Sequence, residues 1–100
     1  MMELRGAQRK YLRGLANLMQ PIVYIGKNGL SGAVIAAIDE GMDDHELVKI
    51  KFLEFKDKKK ALVSEIENKT GGSCVGMIGH VAIFYRQHRD PGNRAIKLPD

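Results

Sequence analysis

The residues best suited to chemistry are Gly26-Lys27-Asn28-Gly29, two glycines bracketing a lysine and an amide. They follow a β-branched run, Ile22 to Ile25, and precede Ser31, a good cap for the start of a helix. Glycines let a backbone turn tightly and approach another chain closely. The N–H groups at a helix start attract phosphate, and Lys27 adds a mobile positive charge. The chemistry this suits is non-covalent, the holding of a phosphate backbone by main-chain amides and a lysine. The plainer alternative is an ordinary turn between strand and helix. A Walker loop is excluded, because its longer glycine spacing and Lys-Ser/Thr pair are missing.

Two further basic features accompany the loop. In Lys56-Asp57-Lys58-Lys59-Lys60, Asp57 is expected to cap a helix, which puts Lys58, Lys59 and Lys60 in its first turn. The helix dipole disfavours cations there by about 0.3–1 kcal/mol each, so an anionic partner would account for the placement. Arg5, Arg9 and Arg13 form a stripe along the first helix, read either as a solvent face or as part of a nucleic-acid footprint.

Catalysis finds little to use. His45, His80 and His88 are scattered without metal-ligand spacing, and neither Gly-x-Ser-x-Gly nor His-Glu-x-x-His occurs. The acids Asp39, Glu40, Asp43, Asp44 and Glu46 do not fit an EF-hand loop. Cys74, the single cysteine, sits in an apolar run and reads as a structural thiol. Tyr24, Phe52, Phe55, Phe84 and Tyr85 are stacking platforms only if they face solvent; the alternative is core. No catalytic residue, metal ligand or cofactor is expected.

The elements that must position these groups follow from periodicity. Leu4, Ala7, Tyr11, Leu15 and Leu18 recur at steps of three and four, so they predict one inward face of a helix closed by Pro21, with the arginines opposite. Residues 22–25 read as a short buried strand. Val34, Ile35, Ile38 and Met42 share a face of a second helix, with Asp39, Glu40 and Asp43 away from it. Residues 47–55 alternate, Val48, Ile50 and Phe52 to one side and Lys49 and Lys51 to the other. Leu62, Val63 and Ile66 turn inward on a third helix that Gly71 stops. Residues 74–78 and 81–86 form two strands joined at Gly79-His80. Residues 88–100, with Pro91, Gly92 and Pro99, read as a loosely ordered basic tail. The order α-β-α-β-α-β-β predicts a two-layer α/β domain over residues 1–87 with a four-stranded mixed sheet.

Length and charge bound the rest. One hundred residues make one domain, and lysine and arginine exceed the acids by 16 − 12 = 4. No apolar run approaches the roughly 20 residues of a membrane span. The opening Met1-Met2-Glu3-Leu4-Arg5 is unlike a signal peptide, and one cysteine permits no internal disulfide, so a cytoplasmic home is expected.

Taken together, these runs resemble a known family. Gln8-Arg9-Lys10-Tyr11-Leu12-Arg13-Gly14-Leu15-Ala16 is similar to the opening helix of YhbY-like proteins, stand-alone members of the chloroplast RNA splicing and ribosome maturation (CRM) family. Ile25-Gly26-Lys27-Asn28-Gly29-Leu30 resembles that family's loop, and His45-Glu46-Leu47-Val48-Lys49-Ile50-Lys51 its next strand. Thr70-Gly71-Gly72, the stretch from Gly79-His80 to Tyr85-Arg86, and Ile96-Lys97-Leu98-Pro99 continue the match. The resemblance implies a fold similar to the C-terminal domain of bacterial translation initiation factor three. It also implies RNA binding without catalysis, on ribosomal RNA of large-subunit precursors. The family's functional loop maps onto Gly26, Lys27, Asn28 and Gly29, with basic support from Arg5, Arg9, Arg13, Lys58, Lys59 and Lys60. The glycine-rich run Gly72-Ser73-Cys74-Val75-Gly76 departs from the family pattern and predicts an irregular third strand. Two rivals stand beside this: a protein-interaction module using Asp39, Glu40, Asp43 and Asp44, and a metal-dependent nuclease using the same acids.

Overall fold

A computed structural model describes residues 2–100. Helices α1 (Gly6–Ala16), α2 (Gly32–His45) and α3 (Lys59–Thr70) alternate with strands β1 (Val23–Ile25), β2 (Leu47–Phe52), β3 (Ser73–Ile78) and β4 (Val81–Tyr85). This is the predicted α/β order. The sheet runs β1-β2-β4-β3, with β1 parallel to β2 and β4 antiparallel to both β2 and β3. The β3–β4 hairpin turns through Gly79 at φ 58°, as expected for the residue that must enter left-handed space there.

Alternation in β2 divides the core. Val48, Ile50 and Phe52 face α2 and α3, packing with Ile38, Met42, Val63 and Ile66. Leu47 faces the other way, into a second cluster with Leu12, Ala16, Val75, Ile83 and Tyr85. Helices therefore cover both faces, and α1 adds a third layer to the two expected.

The inward face of α1 is the largest departure from expectation. Leu4 is buried as expected, but Leu12 and Ala16 are the fully buried positions of the helix, whereas Ala7, Tyr11, Leu15 and Leu18 are exposed, Leu18 to 92%. The cause lies in β3. Cys74 pairs with Phe84 and Gly76 with Ile83, so Val75 is an extra residue in a β-bulge, the irregularity predicted from the glycine-rich run. Arg9 Nη1 donates to the carbonyl of Cys74 and Arg13 Nη1 to that of Val75, both at 2.9 Å. Gly76 makes room for this: a Cβ there would stand 2.6 Å from Cδ of Arg13. Buried carbonyls left without partners are costly, so donors face the sheet and the apolar stripe turns out.

Smaller differences have local causes. Helix α1 stops at Ala16 rather than at Pro21, its last turn tightened by bonds from Asn17 N to Gly14 O and Met19 N to Ala16 O. Strand β2 ends at Phe52, because Leu53 and Glu54 both turn their N–H groups to the carbonyl of Ile25. Asp57 lies in a 3₁₀ turn, Lys56–Lys58, and does not cap α3. Ser31 does cap α2, accepting from Val34 N at 3.3 Å, and Gly71 ends α3 at φ 75°.

Residues 88–100 are tied down despite having only one 3₁₀ turn, Pro91–Asn93. The buried carboxylate of Glu46 accepts from His88 N at 2.7 Å and from Ala95 N and Ile96 N at 2.9 Å each. Ile96 and Leu98 pack on the second cluster, and Gln8 Nε2 donates to Pro99 O. No described helix is long and apolar enough to cross a membrane.

Candidate nucleic-acid interface

Residues 26–29 form a closed turn, with Gly29 N donating to Gly26 O at 3.0 Å. Lys27 and Asn28 occupy its exposed tip. Gly29 leaves the turn at φ 61°, a conformation that disfavours any side chain, and the chain then enters α2. Gly29 also lies against the ring of Phe55, so the turn rests on the segment that follows β2.

That contact joins two features far apart in sequence. Phe55 itself adopts φ 57° and turns the chain into the lysine run, so the loop and residues 56–60 share the end of the sheet where β1 and β2 finish. The hairpin turn lies there too: Phe52 N donates to His80 O, and Lys59 Nζ donates to Gly79 O at 2.7 Å and stands 3.1 Å from His80 Nδ1. Lys59 is thereby half-buried, while Lys56, Lys58 and Lys60 remain exposed. The starts of α2 and α3 both lie at this end, adding their partial positive charge to the lysines.

The electrostatics register at His80. Its pKa is held below the ordinary 6.5 by desolvation and then by the positive field of Lys59, Lys56 and Lys51. No described salt bridge neutralises any of these lysines or Lys27. A concentrated, unpaired positive field beside an exposed turn can hold a polyanion without any covalent step.

The remaining candidates are dispersed. Arg9 and Arg13 are half-buried on β3, their guanidinium groups engaged with carbonyls. Arg5 is exposed, but α1 begins beside Ser73, whose hydroxyl donates to Met2 O, so Arg5 lies at the opposite end of β3 from the loop. Of the aromatic candidates, Phe52, Phe84 and Tyr85 are buried, whereas Tyr24 and Phe55 are 51% and 37% exposed. Sequence reasoning did not select His80 or Lys51 for this end. The alternation of β2 already put Lys51 on the outward side, but only the pairing of β2 with β4 brings the hairpin beside it.

The acidic face of α2 is partly engaged within the fold. Arg86 reaches Asp39 Oδ1 and, at 2.8 Å, Asp43 Oδ1, while also donating to the carbonyls of Thr70 and Asp39. Among the described residues, no three His, Cys, Asp or Glu side chains gather as a metal site. Cys74 is half-buried, its Sγ–H directed at Gly76 O, and burial pushes its thiol pKa up.

The chain is similar to several known proteins. Residues 4–86 match the family model of the CRS1/YhbY (CRM) domain. An RNA-binding protein of Haemophilus influenzae is 35% identical over 99% of this chain and 98% of its own. A probable RNA-binding protein of Pseudomonas aeruginosa is 31% identical over 97% of this chain and 94% of its own, and one of Bacillus subtilis is 32% identical over 96% and 99%. The solution structure of a hypothetical Staphylococcus aureus protein, described as a candidate RNA-binding protein, superposes with a TM-score of 0.81. That protein is 36% identical, over 97% of this chain and 100% of its own. With the family model matching residues 4–86 and these relatives aligned over nearly its whole length, the chain belongs to the CRS1/YhbY (CRM) domain family.

Proposed function

We propose that this protein binds RNA through the turn Gly26-Lys27-Asn28-Gly29 and the lysines beside it, and that it does so on ribosomal RNA during maturation of the large subunit, in the cytoplasm and without catalysis. The observation that carries the reading is the convergence of the loop, the run 56–60 and the starts of α2 and α3 on one end of the sheet. In this reading Gly26 and Gly29 allow close approach, the turn amides and Lys27 hold phosphates, and Lys58, Lys59 and Lys60 extend the field. Arg5, Arg9 and Arg13 act less directly, with Arg9 and Arg13 mainly securing α1 to β3. The names of the relatives support RNA as the partner class.

The test is fluorescence anisotropy with fragments of large-subunit ribosomal RNA across a salt series. A Lys27→Asp/Asn28→Asp variant, shown to be folded by circular dichroism, is expected to bind far more weakly. Replacing single lysines of the run should lower the salt slope by about one each. Equal binding by variant and wild type would overturn the loop assignment. Sedimentation of the tagged protein with large-subunit precursors tests the ribosomal part: co-migration with mature particles only, or with none, would count against it.

A further inference from the structure

The sheet face opposite α2 and α3 is only partly covered by α1. Register sets one row across it: Tyr24 beside Lys51, Lys51 opposite Val81, and Val81 opposite Ile78. The neighbours of this row in β1, β2 and β4, Ile25, Phe52 and Ala82, point into the core, so Tyr24, Lys51 and Val81 point to the opposite face, and Ile78 shares it as the cross-strand partner of Val81. Tyr24 is 51% exposed and Ile78 60%, high values for a tyrosine and an isoleucine in a sheet. Beside the row, the segment that links α1 to β1 stands off the sheet and leaves a hollow of about 350 Å³. Val81, Ile83 and Ile78 floor it, while Asn17, Gln20 and Lys51 supply polar walls. Lys49 Nζ braces the rim by donating to Met19 O at 3.1 Å.

This combination is unlike a surface that only repels aggregation. It offers a flat aromatic ring, an apolar floor of a size that suits planar groups, and amides able to donate and accept at a base edge. It also carries two lysines without a described carboxylate partner. Lys51 contributes to the field at His80, so the row is continuous with the positive end that holds the loop. Charge complementarity and that continuity select the occupant: an unpaired polyanionic strand that carries planar bases. A duplex presents phosphates but keeps its bases stacked away from such a surface.

We infer that the protein takes single-stranded RNA, with one base stacked on Tyr24 and a neighbouring base seated in the hollow between the sheet and residues 17–21. This rests on the RNA-binding reading above and specifies its substrate as unpaired rather than helical RNA. Phosphates held at the loop then lead into bases laid along the sheet, with Lys51 between the two.

The test compares a labelled twelve-nucleotide single strand with its duplex, using wild type, Tyr24→Ala, Tyr24→Phe, Gln20→Ala/Lys51→Ala and the loop variant. Wild type is expected to prefer the single strand. Tyr24→Ala should lose roughly tenfold for the single strand and little for the duplex, since stacking on one aromatic is commonly of that order. Tyr24→Phe should retain binding, because the ring is kept. Photo-crosslinking with 4-thiouridine should map to Tyr24 or to residues 17–21. Unchanged single-strand affinity in Tyr24→Ala, alongside loss in the loop variant, overturns the sheet assignment and leaves the loop reading standing. Equal affinity of wild type for duplex and single strand also overturns it. No binding of either RNA by wild type overturns both readings.

Discussion

Glu46 holds the C-terminal segment, and its removal should be felt at a distance from the proposed RNA site. The residue ends α2 at φ 62° and ψ −43°, turning the chain from helix into β2 in one step, a sparsely populated conformation that costs about 1–3 kcal/mol for a side-chain-bearing residue. Three charge-assisted bonds to His88 N, Ala95 N and Ile96 N offset that strain. At about 1.5–3 kcal/mol each they could sum higher than the segment is worth. The segment can swing free and rehydrate, however, so the loss is capped by what its docking contributes. An alanine at this position should therefore cost more than one such bond and less than all three, about 3–4 kcal/mol. Glu46→Gln retains one oxygen acceptor but sets an amide N–H₂ against an N–H, and should cost about half as much. In a domain of this size, about 1 kcal/mol corresponds to roughly 4–8 °C, so the Glu46→Ala melting temperature should fall by about 12 °C or more. Thermal melts by circular dichroism measure the order wild type, Gln, Ala. Hydrogen exchange should show lost protection at the Ala95 and Ile96 amides, while RNA affinity at the distant loop stays unchanged at a temperature where the variant is folded. Undiminished protection of those two amides in Glu46→Ala would refute the assignment.

Other outcomes follow from the same structure. Gly29→Ala forces a side chain into φ 61° and should destabilise the loop by about 1–2 kcal/mol, lowering RNA affinity in anisotropy while the circular dichroism spectrum is retained. His80 should titrate below 6.5 in an NMR titration of the free protein. Because its folded pKa is depressed, the unfolded chain binds the proton more readily, so this group's contribution is full above the ordinary value and declines as pH falls through it. Bound RNA phosphates oppose the lysine field and should move the His80 pKa up; an unmoved His80 would place the RNA elsewhere. Tyr85 Oη is buried without a described partner and its pKa is pushed up to about 12, first by desolvation and then by Glu46. Tyr85→Phe should accordingly be neutral or stabilising by about 1 kcal/mol in urea unfolding, and a loss above that would reveal a hydrogen bond.

The element order, the hairpin at Gly79-His80, the cap at Ser31 and the inward faces of α2, α3 and β2 were legible in the sequence, because each depends on residues a few positions apart. The loop residues were legible as a turn for the same reason, and the glycine-rich run put the regularity of the third strand in question, though the bulge itself came only with the pairing of β3 and β4. Periodicity misjudged α1, since the stripe of greatest apolarity is not the one that the sheet accepts. What turned the helix over was a pair of carbonyls at Cys74 and Val75, more than sixty residues away, needing the donors that only Arg9 and Arg13 supply. The tail was misread in the same way, its anchor being a carboxylate about fifty residues upstream. By itself, then, the sequence determined which segments become helix and strand and which residues carry positive charge. The tertiary structure decided which of those charges lie together. Placing β4 between β2 and β3 brings loop, lysine run and hairpin to one end, and that strand order is set by packing among residues no local pattern connects.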